Sequence, residues 1–274
     1  MSWKIAIQDD RVAEYADVGG HWHVCCRIDR PELGLRITKQ GSPRDSAGKL
    51  PSGDRVPRGA VSLIPPSAIA VAEDQDWAAL PRFFPEMSET YFRGDDCVAI
   101  FPQGDHDQFG MMITYRIVEA SASVIVVETI MAIETTLLDT LPMVDVVIQG
   151  ESEEIDPLAN PLDASSVIRP GELRSRPLRA YPLPAAAWKL KQLAKTPKSE
   201  PFLVLFLPSS DRAAAGVIDQ HPSGTRLRLL AEFLEKGVIR KARCWLAAWD
   251  REPKGIDLER CYARLEEEPL PLTP

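Results

Sequence analysis

Between Cys97 and Gly150 the chain carries four apolar segments in close succession, and this block limits the fold more than any other feature. From Met111 to Glu119 the odd positions (Met111, Ile113, Tyr115, Ile117) are apolar, while the even ones include Thr114 and Arg116. Alternation with period two marks a strand with one face on a core. From Val124 to Ile133 both faces are apolar, which predicts a central strand covered on both sides. Cys97 to Phe101 and Met143 to Ile148 are two shorter runs. Their connections are short and polar, so antiparallel neighbours are expected.

Further strands are expected at Trp3 to Gln8, His21 to Asp29, Leu33 to Lys39, Ala60 to Ile64 and Ile69 to Ala72. Glu89 to Arg93 should feed the central block through a Gly94-Asp95-Asp96 turn. Gln40 to Gly59 is a long stretch without periodicity, and Glu151 to Pro184 is a proline-rich crossing segment. Beyond it, Ala185 to Lys195 reads as a helix and Phe202 to Leu207 as a buried strand. Thr225 to Lys236 reads as the clearest helix, because Leu227, Leu230, Ala231 and Leu234 fall at helical spacing with Gly237 just beyond. Val238 to Asp250 should be a long strand. Asp257 to Glu268 should be a last helix with Asp257 as N-cap and Leu258, Cys261, Tyr262 and Leu265 as its apolar stripe.

The expected fold is therefore mainly β (α+β overall): an antiparallel β-sandwich with a few peripheral helices, the clearest at 225–236 and 257–268. One domain, 1–274, would contain a β-rich core (1–150), the crossing segment (151–184) and an α+β part (185–274) packed on the sandwich; a separate α+β domain after the crossing segment is the competing layout. With 45% hydrophobic residues a sizeable core is available. A net charge of −8 argues against a protein devoted to nucleic acid, whose affinity rests on cationic contacts to phosphate. No apolar run suits a signal peptide or a membrane span. Five scattered cysteines without C-x-x-C spacing point to a reducing, cytoplasmic compartment.

Three constellations could carry chemistry. In the segment His21 to Ile28, period two places His21, His23, Cys25 and Arg27 on one face and Trp22, Val24, Cys26 and Ile28 on the other. A His pair at i and i+2 can grip a divalent metal, the one cofactor the sequence suggests. The pair resembles the His-x-His of cupins, but where that motif continues to a glutamate this chain has Arg27 and Ile28, so cupin function does not carry over. The bland alternative is a solvated sheet face.

The second constellation is Gly104-Asp105-His106-Asp107-Gln108. Two carboxylates beside a histidine suit general acid–base work, although a polar hairpin loop is expected there in any case. The third lies on the strand from Val238, where Lys241, Arg243, Trp245 and Trp249 share a face. Two indoles beside two cations suit a stacking platform for sugar rings or other flat ligands, unless the last helix covers them. Glu128, inside the most apolar strand, needs a partner, and Arg116 on the neighbouring strand is placed to supply it.

No P-loop, nucleophile elbow or dinucleotide fingerprint is present. Gly41 stands seven residues before Gly48, and Leu50 occupies the place of the Mg²⁺-binding hydroxyl. His221 and Ser223, with Asp219, read as a turn. The function expected is a non-catalytic protein that binds a small-molecule or protein ligand. A carbohydrate-active or metal-assisted enzyme built on the His/Asp residues is the alternative. Self-assembly into a homo-oligomer through a sheet edge is a third reading.

Overall fold

A computed structural model describes residues 3–6, 9–16, 20–39, 61–64, 86–105, 107–142, 144–149, 152–155, 186–190, 201–208, 217–221, 224–230 and 233–269. Within them lie two antiparallel eight-stranded sheets and a single α-helix. The strands are β1 (Lys4–Ala6), β2 (Asp9–Ala16), β3 (Trp22–Arg27), β4 (Leu35–Lys39), β5 (Val61–Ile64), β6 (Glu89–Arg93), β7 (Asp96–Phe101) and β8 (Gly110–Ala120). They continue as β9 (Val124–Glu134), β10 (Val144–Gln149), β11 (Ser152–Ile155), β12 (Ala186–Leu190), β13 (Phe202–Leu207), β14 (Val217–His221), β15 (Gly224–Leu230) and β16 (Ile239–Trp249). The helix, α1, spans Gly255–Glu267.

The first sheet runs β1-β2-β3-β4-β5-β10-β15-β14, and the second runs β11-β12-β13-β16-β9-β8-β7-β6. The C-terminal strands thus sit within both sheets. The two inner faces share one apolar core. The first sheet gives Ala13, Tyr15, Trp22, Val24, Cys26 and Ile37, and the second gives Cys97, Phe101, Ile113, Tyr115, Ile125, Met131 and Leu246. At one end the indoles of the first sheet also bond to turns of the second. Trp3 Nε1 donates to Asp95 O (2.9 Å) and Trp22 Nε1 to Ser121 O (2.6 Å). Lys39 Nζ lies 3.5 Å from Asp250 Oδ2 at the same end.

β9 has the central place its doubly apolar sequence predicts, between β8 and β16. Its odd positions from Ile125 to Ile133 enter the inter-sheet core, and Val126 enters a smaller cluster on the outer face. The Gly94-Asp95 turn closes the β6–β7 hairpin, with Arg93 opposite Asp96 and Gly94 at φ +59°. That backbone region favours glycine.

Two expected helices are strands. Gly224–Leu230 is β15, paired with both β10 and β14, and His221 stands opposite Gly224. The helical spacing of Leu227, Leu230 and Leu234 is overridden because Val144–Gln149 needs a ladder partner on this side, and Thr225-Arg226-Leu227-Arg228 also alternates. Leu230 pairs with Val144, and Leu234 instead bridges to Thr140. Ala186–Leu190 is β12, inserted between β11 and β13 for the same reason. β2 was not foreseen: its charges (Asp9, Asp10, Arg11, Glu14) mask the core positions Ala13 and Tyr15. The expected strand at Ile69 to Ala72, the whole Gln40–Gly59 stretch and most of the Glu151–Pro184 stretch lie outside the described residues.

Candidate functional site

The outer face of the second sheet carries a row of side chains across five strands. Register places Asp96 (β7), Arg116 (β8), Glu128 (β9), Trp245 (β16) and Phe206 (β13) side by side. Arg116 grips Asp96 through Nε to Oδ1 (2.7 Å) and Nη2 to Oδ2 (3.1 Å), a bidentate pair. Its Nη1 lies 3.6 Å from Glu128 Oε2, so the cross-strand pair expected from sequence is present. Glu128 is 1% exposed. Its Oε1 accepts from Trp245 Nε1 (3.1 Å) and lies 3.6 Å from Arg243 Nη1. Burial raises its carboxyl pKa above the usual carboxylate range, with Trp245, Arg243 and Arg116 pulling the other way.

Helix α1 closes over this row. Its start follows local chemistry: Lys254, not Asp257, is the N-cap, and Asp257 Oδ2 accepts from Lys254 N (2.9 Å). The predicted stripe packs down, with Tyr262 and Leu265 buried and Leu258 and Cys261 beside them, against Val126, Phe206, Trp245 and Trp249. Burial pushes the Cys261 thiol up to about 12. Arg243 Nη2 donates to Leu265 O (2.6 Å), capping a carbonyl near the helix end. Arg264 lies 5.8 Å from the Trp245 ring centroid and donates to Glu119 Oε2 (3.1 Å) and Val118 O (3.2 Å).

The expected stacking platform is therefore corrected. Trp245 and Trp249 are 1% and 7% exposed because the amphipathic helix and the indole face bury each other. Arg243 serves the helix end and Glu128. Lys241, on the same strand face, is half-buried, which lowers its ammonium pKa.

The expected metal and acid–base residues are likewise not brought together. His21 precedes β3 at the Ser121 end, next to the anchored Trp22. His23 points to the outer face, with Nε2 3.9 Å from Glu14 Oε1. Cys25 is buried there and its thiol is pushed up to about 11. Asp105 and Asp107 lie before Gly110, at the other end of β8, whose eleven residues span ~34 Å. Joint coordination by the two groups is excluded at ligand distances of about 2 Å. Among the described residues no three His, Cys, Asp or Glu side chains could hold a metal ion.

The Asp107 carboxylate closes its own loop, accepting from Gly104 N (3.0 Å), while Asp107 O accepts from Gln103 Nε2 (2.9 Å). A Cβ at Gly104 would stand 2.7 Å from that carboxylate, and one at Gly110 would stand 2.9 Å from Gln103 N. His106 lies outside the described residues.

A different surface emerges at this end, one the sequence reading missed. Leu137, Leu138 and Leu141 on the β9–β10 connection, Phe233 before β16 and Ile239 at its start are all exposed, Leu138 at 81%. Their backbone is nevertheless pinned. Thr140 and Leu234 exchange backbone bonds (Leu234 N to Thr140 O, 2.9 Å; Thr140 N to Leu234 O, 3.4 Å). The antiparallel register of that bridge sets Leu141 beside Phe233. Gly237, at φ +77°, donates to Thr135 O (3.0 Å). Thr135 Oγ1 donates to Gln108 O (2.8 Å), and Gln103 Oε1 accepts from Thr136 N (2.7 Å). Three connections are thus laced together beneath exposed apolar side chains. Asp105, Glu134, Asp139 and Glu235 are exposed around them, with Lys236 and Arg240 the exposed cations of the same segments.

No family model matches this chain, and no curated protein matches it in sequence. Among the described residues no helix is long and apolar enough to cross a membrane.

Proposed function

We propose that the chain is a non-catalytic β-sandwich that binds another protein through the apolar end formed by Leu137, Leu138, Leu141, Phe233 and Ile239. The observation that carries this reading is the combination of exposure and fixation. Isolated exposed leucines are ordinary, but five large apolar side chains exposed at one end of the sandwich, most of them on loops laced by backbone bonds, suit an interaction surface. The five side chains expose on the order of 500 Å². A standard interface covers about 800 Å² per partner, with an apolar centre and a polar rim, so the cluster and its charged border fit one such contact. The mainly acidic border and the net charge of −8 favour a partner whose apolar surface is edged by basic residues, and disfavour an anionic lipid surface.

The test uses the full chain with a photo-crosslinking residue at position 138, or at exposed position 251 at the far end of β16. The expected result is one discrete protein adduct from 138 and none from 251. Binding of that purified partner should weaken at least tenfold in Phe233→Asp, a loss typical of a central contact. Equal labelling from both positions, or none from 138, would contradict the proposal. An adduct with a second copy of the chain would replace it with self-assembly.

A further inference from the structure

Among the described residues the second sheet ends on β6, with no strand on its far side. An open edge is a template for another strand, and proteins commonly blunt it with proline or lysine. Glu89-Thr90-Tyr91-Phe92-Arg93 contains neither, and it carries opposite charges at its two ends.

The hairpin sets the backbone of this edge. Across the two-residue Gly94-Asp95 turn, Arg93 and Asp96 form the first hydrogen-bonded pair, so by alternation Tyr91 and Glu89 also bond to β7. Thr90 and Phe92 therefore turn their N–H and C=O groups toward the open edge. Phe92, opposite Cys97, packs on the inter-sheet core, while Glu89, Tyr91 and Arg93 lie on the outer face. Glu89 and Arg93 are exposed. Arg93 reaches its own Asp96 through Nη2 alone (3.4 Å), and Arg116 already grips that carboxylate. The Arg93 guanidinium thus has donors to spare.

We infer that β6 pairs with the β6 of a second copy, antiparallel about a two-fold axis at Tyr91, joining the second sheets of both copies into one. This register sets Thr90 opposite Phe92 of the second copy. Both turn their backbone groups to the edge, so each such pair exchanges both its bonds. Tyr91 meets its copy at the axis in a non-hydrogen-bonded pair, with Cα atoms about 4.5 Å apart. Glu89 meets Arg93 of the second copy on each side of the axis. A one-residue slip would set outward backbone groups against inward ones, and a two-residue slip would lose both ion pairs.

The other edge sequences do not match themselves. Ser152-Glu153-Glu154-Ile155 reversed on itself sets glutamate against glutamate, Val217 to His221 sets Asp219 against Asp219, and β1 is only Lys4-Ile5-Ala6. The β6 edge is also separate from the apolar end, since β7 and β8 lie between β6 and β9.

The full chain is sedimented over a concentration series. Wild type should pass from monomer to dimer with Kd in the range of about 1–100 μM, as suits a contact of one short strand. Glu89→Arg sets arginine against arginine on both sides of the axis and should weaken the dimer roughly tenfold or more. Mixing it with Arg93→Glu restores both opposite-charge pairs and should return a heterodimer. Should Arg93→Glu fold poorly beside Asp96, Tyr91→Cys serves. Its copies stand at disulfide distance, so oxidation should give a 91–91 link in peptide maps. Glu89→Cys, ~13 Å from its copy, should give no 89–89 link. A wild type still monomeric at about 500 μM would overturn the inference. So would a dimer indifferent to Glu89→Arg, or a Tyr91→Cys chain that forms no 91–91 link.

Discussion

The charged row beneath α1 and the apolar end of the sandwich invert the usual distribution of side chains in opposite directions. The row buries Glu128, Arg243 and Asp96, while the apolar end exposes five large hydrophobic side chains on pinned loops. Buried charge is tolerated in the first because each group has a partner: Asp96 with Arg116, Glu128 with Trp245 and two guanidinium groups, and Arg243 with a helix carbonyl. Its organisation is internal to the fold. The second has anchors below (Thr135, Thr140, Leu234) and nothing among the described residues above. The comparison teaches that buried polarity here serves the fold, whereas the exposed apolarity is what the proposed partner would cover.

The largest effect should come from breaking the row. Glu128→Ala leaves Arg243 and Arg116 facing a cavity without their carboxylate, and should cost about 3–5 kcal/mol in urea unfolding. A loss under about 1 kcal/mol would show the row to be dispensable.

The same carboxylate sets a pH signature. Its folded pKa lies above its unfolded value, so the native state holds this proton to higher pH. The Glu128 contribution to stability is therefore greatest below the ordinary carboxylate range and declines as pH rises through the folded value. Stability of the wild type relative to Glu128→Gln should fall across that interval, measured as paired urea midpoints. A rise would reverse the sign of the account.

Adjacent residues at the apolar end sharpen the contrast. Leu234→Ala removes a fully buried anchor and should cost about 2–4 kcal/mol, whereas Phe233→Ala next to it should change stability by less than about 0.5 kcal/mol. Similar losses at both positions would mean that the end is packed in the folded state. The smallest stability effect of a charge change is expected at Arg264→Ala. Its pair with Glu119 is half-exposed and worth at most about 1 kcal/mol, to which the contact with the Trp245 ring adds a comparable amount.

Much of the second sheet was legible in the sequence because alternation states which side chains share a face. Glu128 and Arg116 could be matched because both occupy outer positions of neighbouring strands. Likewise, the stripe of α1 and the indoles of β16 were two apolar surfaces that each needed a cover. Which reading of the indoles holds was not legible, since ligand and helix ask for the same residues. The β15 segment shows the limit of periodicity: Leu227 and Leu230 fit a helix, and only the demand of β10 for a partner makes them a strand. The apolar end was invisible for a related reason. Leu137 and Leu138 lie between the runs expected at Val124 to Ile133 and Met143 to Ile148, and their connection is held by Thr140 meeting Leu234, 94 residues away. Convergence of the His21/His23 pair and the Asp105–Asp107 loop on one site failed on distance, because spacing within a segment does not report which end of the sandwich it occupies.

The most direct test of the contrast is the unfolding free energy of the Leu137→Asp/Leu138→Asp/Phe233→Asp variant of the full chain, measured beside wild type in urea. The account predicts a change within about 1 kcal/mol at an unaltered m-value, because these side chains contribute nothing to the folded core. A loss of more than about 3 kcal/mol would contradict it, since the apolar end would then be covered by the chain itself and not kept for a partner.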